Sequence, residues 1–222
     1  MPELENLKKL VKETQEKKIK LVAVSKTKSE EEIMEVYKTG HLHFGENKAI
    51  ELKNKAEKLP KDIEWHFIGN LQSNKVKFVV PHVSWIHSID RPKIIKAINK
   101  EAQKADKKIK VLLQIYIADE ESKIGFSMEE LKNWLKGGDY QNLKNVEICG
   151  VMGMATFTDD THQIKQEFSL LKEYFDQLKA GYFSDNQNFK EISMGMTGDY
   201  KIAVECGSTM LRIGSLIFGE RN

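Results

Sequence analysis

The chain has 222 residues, 40% of them hydrophobic and 31% charged, with four prolines and a formal net charge of +2. That is enough chain to bury a substantial core, and so balanced a charge creates no overall field toward nucleic acid or an anionic membrane. No apolar run is long enough to span a bilayer, and the opening "MPELENLKKLVKETQEKK" lacks the apolar core and cleavage site of a signal peptide.

No nucleic-acid or membrane partner is therefore expected, and the expected location is cytoplasmic. The two cysteines, Cys149 and Cys206, fit no metal-ligand spacing. They are expected to be reduced thiols, and no metal site is expected.

Leu4, Leu7, Leu10 and Val11 recur at helical spacing and predict an opening helix. The apolar run "IKLVAVS" then reads as a strand that stops abruptly at Ser25 and Lys26. Ser29 with Glu32 forms a capping box that opens a helix through "SEEEIMEVYK", and Gly40 supplies a stop. "HLHFG", "EWHFIG" and "VSWIHS" follow as strands, then "PKIIKAINKEAQKA" as a helix. "IKVLLQIYI" is the fifth strand, after which Ser127 and Glu130 repeat the capping box before "MEELKNWLK". The sixth strand, "VEICGVM", precedes a long helix whose Ile164, Phe168, Leu171, Phe175 and Leu178 form one buried stripe. "KEISM", a short helix in "GDYKIAVECG" and "LRIGSLIF" complete the order.

Eight strands alternating with helices predict an α/β protein, and eight is the number that closes a (β/α)8 TIM barrel. The expected organisation is a single barrel domain over residues 1–222 with an extra N-terminal helix. The rival is an open doubly wound sheet. Its dinucleotide fingerprint needs GxGxxG after a strand, and that pattern does not occur.

In such a barrel the chemistry lies at the C-terminal ends of the strands, with phosphate held by the last two loops. Lys26 ends the first strand, where burial disfavours an ammonium and leaves an amine able to attack a carbonyl. Asn47 follows the second strand as a pocket polar group. Ser193, Gly195 and Thr197 after the seventh strand, with Gly214 and Ser215 after the eighth, offer the glycines and hydroxyls that a phosphate requires. Arg212 is one of three arginines and the only one inside an apolar strand. It needs an acceptor there, either a ligand or a buried carboxylate.

An amine, a phosphate cradle and a fixed cation together suit pyridoxal 5′-phosphate, which takes a lysine Schiff base, a phosphate anchor and a partner for its ring nitrogen. His41, His43 and His66 read as packed histidines, Met152 and Met154 as core filler or as a surface for a flat ring. Glu120, Glu121 and Lys123 read as a solvated loop.

The segments "AVSKTK", "FGEN", "WHFIGNLQSNK", "KIGF", "GVMGMA" and "SMGMTGDYKIAVECGSTMLRIGSLIFG" resemble the pyridoxal phosphate homeostasis protein family, over about Val22 to Gly219. Members of that family resemble the barrel domain of alanine racemase standing alone. The resemblance implies a (β/α)8 barrel holding the coenzyme on Lys26, with Asn47 beside it. It places phosphate on the loop from Ser193 through Gly195 to Thr197 and on Gly214 and Ser215. Arg212 then faces the pyridine nitrogen. Ile50 stands where many relatives carry Gln.

The implied function is to bind, buffer and deliver the coenzyme, with apo-forms of its enzymes as recipients, and no residue is assigned a catalytic role. The alternatives are a racemase, or another lysine Schiff-base enzyme such as an aldolase. A racemase needs an acid or base on each face of the α-carbon. The chain ends at Asn222, directly after the last strand, so no second domain is expected to supply the opposing tyrosine. Nothing in the pattern places Tyr116, Tyr182 or Tyr200 in that role.

Overall fold

A computed structural model describes residues 1–119 and 124–220. Eight parallel strands close a barrel in the order β1 to β8. They are β1 (Lys20–Val24), β2 (His43–Glu46), β3 (Glu64–Phe67), β4 (Trp85–Ile89), β5 (Ile109–Gln114), β6 (Val146–Met152), β7 (Glu191–Ser193) and β8 (Met210–Ile213). The predicted fold class and all eight strand positions are observed. Glu120, Glu121 and Lys123 lie outside the described residues.

Around the barrel run α1 (Leu4–Glu16), α2 (Glu30–Tyr37), α3 (Ala49–Lys58), α4 (Val76–Val79), α5 (Pro92–Lys104), α6 (Met128–Lys136), α7 (Thr161–Tyr182), α8 (Tyr200–Glu205) and α9 (Ser215–Phe218). Both capping boxes are formed, at Ser29/Glu32 and at Ser127/Glu130. Among the described residues, no helix is long and apolar enough to cross a membrane.

Two elements differ from the sequence reading. The run "LRIGSLIF" is not one strand: β8 ends at Ile213, and Ser215–Phe218 turns into α9. A short apolar run of this kind carries no clear period to separate strand from helix. α3 carries only Leu52 and Ala56 as buried apolar residues, too sparse a stripe to announce itself among its lysines. Because α9 is a single turn it covers little of the barrel wall. α1 packs there against α9 and β1, joined by the Glu3 N–H donating to the Ile217 carbonyl at 2.7 Å.

The pleat sorts side chains into two cores. Leu21 and Ala23 of β1 join the large outer core under the helices, while Val22 turns inward to a small cluster with Trp85, Leu112, Cys149, Met152 and Met210. Cys149 and Met152 share the interior although they are three apart, because the β5–β6 register slips where Val111 pairs Ile148 but Leu112 pairs Gly150. Gly150 makes this bulge possible. Its φ is +152°, and a Cβ there would lie 1.8 Å from the Glu191 carbonyl oxygen. The bulge rephases the end of β6, which leads into Gly153 and Met154.

Replacing Gly150 with Ala is expected to cost at least about 1–3 kcal/mol from backbone conformation alone, measured as a lowered denaturation midpoint. An unchanged midpoint would contradict the bulge.

Candidate cofactor site

A cavity of about 750 Å³ opens at the C-terminal ends of the strands. Lys26 and Lys28 after β1, Asn47 after β2, Gln114 at the end of β5, Thr197 after β7, Arg212 on β8, and Gly214 and Ser215 beyond it all line it. Six of the eight residues singled out from sequence are therefore brought together: Lys26, Asn47, Thr197, Arg212, Gly214 and Ser215. Ser193 and Gly195 are not among the lining residues. The mouth carries exposed apolar side chains, with Phe157 fully exposed beside Met154 and Met196.

The backbone around Lys26 is tightly determined. Thr27 has φ +66°, an uncommon conformation for a β-branched residue. Its N–H donates to Glu51 Oε1 at 2.6 Å. Glu51 accepts in turn from Lys55 Nζ at 2.7 Å, and the same ammonium donates to the Ser25 carbonyl at 2.9 Å and to Glu46 Oε1 at 2.8 Å. Ser25 Oγ closes the network by donating to Glu46 Oε1 at 2.6 Å. One buried lysine on α3 thus holds both neighbours of Lys26 and the residue before Asn47.

Burial pushes the Glu46 carboxyl above its usual range, against the pull of Lys55 and Ser25. Burial acts upward on Glu51 as well, but the Lys55 and Thr27 hydrogen bonds outweigh it and leave its carboxyl lowered.

Asn47 lines the cavity with its Oδ1 buried and without a hydrogen-bond partner among the described residues. Gly69 lets the end of β3 press against it, since a Cβ at that position would lie 2.2 Å from the Asn47 carbonyl oxygen.

Arg212 is buried to 4% exposure. It donates from Nη1 to Ser193 Oγ at 2.7 Å and from Nη2 to the Gly153 carbonyl at 3.1 Å. Its hydrogen bonds go to these neutral oxygens, and the alternative of a structural ion pair with a carboxylate is not what the geometry shows. Burial lowers its pKa to about 10, with Asp199 acting the other way, so it stays charged at neutral pH.

Ser193 sits beneath this guanidinium, fully buried, with His87 Nδ1 at 3.0 Å on its other side. Gly195 accepts the Arg212 backbone N–H at 3.0 Å. A Cβ on Gly195 would come within 2.6 Å of Ala203 Cβ, so its place is to let the loop after β7 lie on α8.

The expected packing of His66 is observed: it is fully buried and hydrogen-bonded to His87 and His43. Met152 is core, whereas Met154 lines the cavity. Glu167 went unread in the sequence. From α7 it accepts the Thr156 N–H and hydroxyl, both at 2.7 Å, and so fixes the loop after β6 at the cavity rim. Its only sequence signal is one carboxylate beside Phe168 in the apolar stripe.

A family model described as alanine racemase, N-terminal domain, matches residues 4–222. The chain is 40% identical over 210 residues to the pyridoxal phosphate homeostasis protein of Pasteurella multocida, covering 93% of this chain and 88% of that one. It is 41% identical over 207 residues to the protein of the same name from Haemophilus influenzae, covering 92% and 86%. Among solved structures, PipY of Synechococcus elongatus without PLP superimposes with a TM-score of 0.90 at 30% identity, covering 97% of this chain and 99% of that chain. The same protein with PLP bound gives a TM-score of 0.81 at 30% identity, covering 91% and 93%.

Lys55→Met strands the buried Glu46 carboxylate and is expected to cost about 3–5 kcal/mol. Adding Glu46→Gln should recover part of that loss in a chemical denaturation series. A double variant no more stable than Lys55→Met alone would contradict the pairing.

Proposed function

This chain belongs to the pyridoxal phosphate homeostasis protein family, under the alanine racemase N-terminal domain model, and on that premise we propose that it binds pyridoxal 5′-phosphate. In this reading it buffers the coenzyme and hands it to apo-enzymes without strong catalysis of its own. The observation that carries the proposal is the convergence of Lys26, Arg212 and the Thr197 and Gly214–Ser215 loops on one cavity. The cavity suits the coenzyme in a further respect: the buried, unpartnered Asn47 Oδ1 has room there to meet a polar ring substituent.

Lys26 would hold the coenzyme through its Nζ, as a Schiff base to the aldehyde formed with loss of water. Thr197, Gly214 and Ser215 would receive the phosphate, where hydroxyls and the unsatisfied N–H groups of a helical first turn favour an anion. Ser193 and Gly195 act one step back, the first by holding the Arg212 side chain and the second by holding its backbone. Arg212 would face the ring nitrogen. An arginine donates hydrogen bonds but accepts no proton, so a nitrogen bonded to it stays unprotonated. When bound, the coenzyme supplies a reactive carbonyl and an electron-accepting ring, and Arg212 keeps that ring a weak acceptor. That favours holding the coenzyme over carbanion chemistry.

The racemase alternative needs a second proton-transfer group facing Lys26. None of Tyr116, Tyr182 and Tyr200 is among the residues lining the cavity, which disfavours a racemase-type tyrosine there, while Lys28, Asp159 and Asp199 are among the titratable groups that share it with Lys26.

Titrating the apo-protein with coenzyme is expected to produce the yellow absorbance of a lysine-bound aldehyde. The Lys26→Ala protein should remain colourless with an unchanged circular dichroism spectrum. Loaded wild-type protein should racemise amino acids no faster than free coenzyme does. Yellow colour retained in Lys26→Ala, or robust turnover, would overturn the proposal.

A further inference from the structure

At the opposite mouth of the barrel, where the strands begin, three potential ligand atoms converge. His43 Nδ1 of β2 lies 3.3 Å from His66 Nε2 of β3 and 3.5 Å from Glu64 Oε2 at the start of β3. All three ligand atoms fall within 4.8 Å of one another. Ligands held tetrahedrally about 2.0–2.1 Å from a zinc-class ion stand roughly 3.3–3.4 Å apart, close to the two shorter separations. His66 is fully buried, whereas the side chains of His43 and Glu64 are 28% and 42% exposed, which leaves a path from solution.

The proton bookkeeping of this corner points the same way. His66 Nδ1 meets His87 Nε2 at 2.9 Å, His87 Nδ1 meets Ser193 Oγ at 3.0 Å, and Ser193 accepts from Arg212. Arginine only donates, so the single Ser193 proton goes to His87 Nδ1. His87 then donates from Nε2 to His66, and His66 donates from Nε2 to His43. His43 is left presenting a lone pair toward the Glu64 carboxylate. Reversing the chain repairs that corner but strips the Ser193 proton of its acceptor. Bound to a cation, the lone pairs of His43, His66 and Glu64 no longer oppose one another.

We propose that His43 Nδ1, His66 Nε2 and the Glu64 carboxylate form a site for one divalent ion of the zinc class, with solvent completing the shell, and that its occupation reverses the hydrogen-bond chain up to Ser193. A metal on His66 Nε2 requires that ring's proton on Nδ1, which moves the His87 proton to Nδ1, facing Ser193. The ion at one mouth is thereby coupled to the residue that holds Arg212 at the other.

The electrostatic surroundings are mixed. Lys20 of β1 and Lys110 of β5 lie over the Trp85 ring, 4.4 and 5.2 Å from its centroid. Glu191 of β7 and Glu147 of β6 act on the same region, beside the neutral Cys149 thiol, which burial pushes up to about 12. With Glu64 included, three carboxylates stand there against three ammonium groups, since Lys108 Nζ lies 3.5 Å from Glu147 Oε1. The proposal departs from the expectation of no metal site, because its ligands come from two strands and make no linear spacing motif.

The test adds zinc or cobalt(II) to the untagged full chain. One equivalent of zinc should bind by calorimetry, and cobalt should give visible bands of tetrahedral intensity. His43→Gln and Glu64→Gln, both at partly exposed positions, should each weaken binding by about tenfold or more with circular dichroism unchanged. In 15N spectra, zinc should move the His87 ring proton from Nε2 to Nδ1. Absence of stoichiometric binding, or equal affinity in both variants, overturns the site, and an unchanged His87 tautomer overturns the coupling.

Discussion

The Lys55 ammonium joins three acceptors: the Ser25 carbonyl, Glu46 and Glu51. Through them it sets the ends of β1 and β2, and so the start of the Lys26 and Asn47 loops. Burying this lysine with Glu46 is not a large source of stability, because desolvation opposes the attraction. What it provides is a single geometry. The left-handed Thr27 shows the constraint at work, since such a conformation persists only when its surroundings over-determine it.

Arg212 is positioned by a different device. Its guanidinium is held from below by Ser193 and from the side by the Gly153 carbonyl just beyond β6. The Gly195 carbonyl fixes its backbone. The lysine end of the cavity thus rests on an ionic network outside the barrel wall, and the arginine end rests on neutral hydrogen bonds inside it. A permanent cation held by neutral partners keeps its donors available to a ligand, which is what holding a coenzyme by its ring nitrogen requires.

Much of this was legible in the sequence, for physical reasons that differ from element to element. The strands stood out as short apolar runs with punctuation, and Arg212 stood out because a lone guanidinium in such a run needs a partner. Lys55 did not, since it is one lysine among 35 basic residues and burial leaves no mark on residue type. The bulge at Gly150 was hidden because a glycine in a strand looks the same whether or not register slips there. Ser193 was legible as part of a hydroxyl- and glycine-rich loop. Its actual place below Arg212 depends on strand pleat, which places residue 193 inward and residue 197 in the loop at the cavity.

The most direct measurement is borohydride reduction of the coenzyme-loaded protein followed by peptide mapping. The account requires the pyridoxyl label on Lys26, in the peptide that runs from the end of β1. A label on Lys28 or Lys55, or one spread over surface lysines, would contradict it.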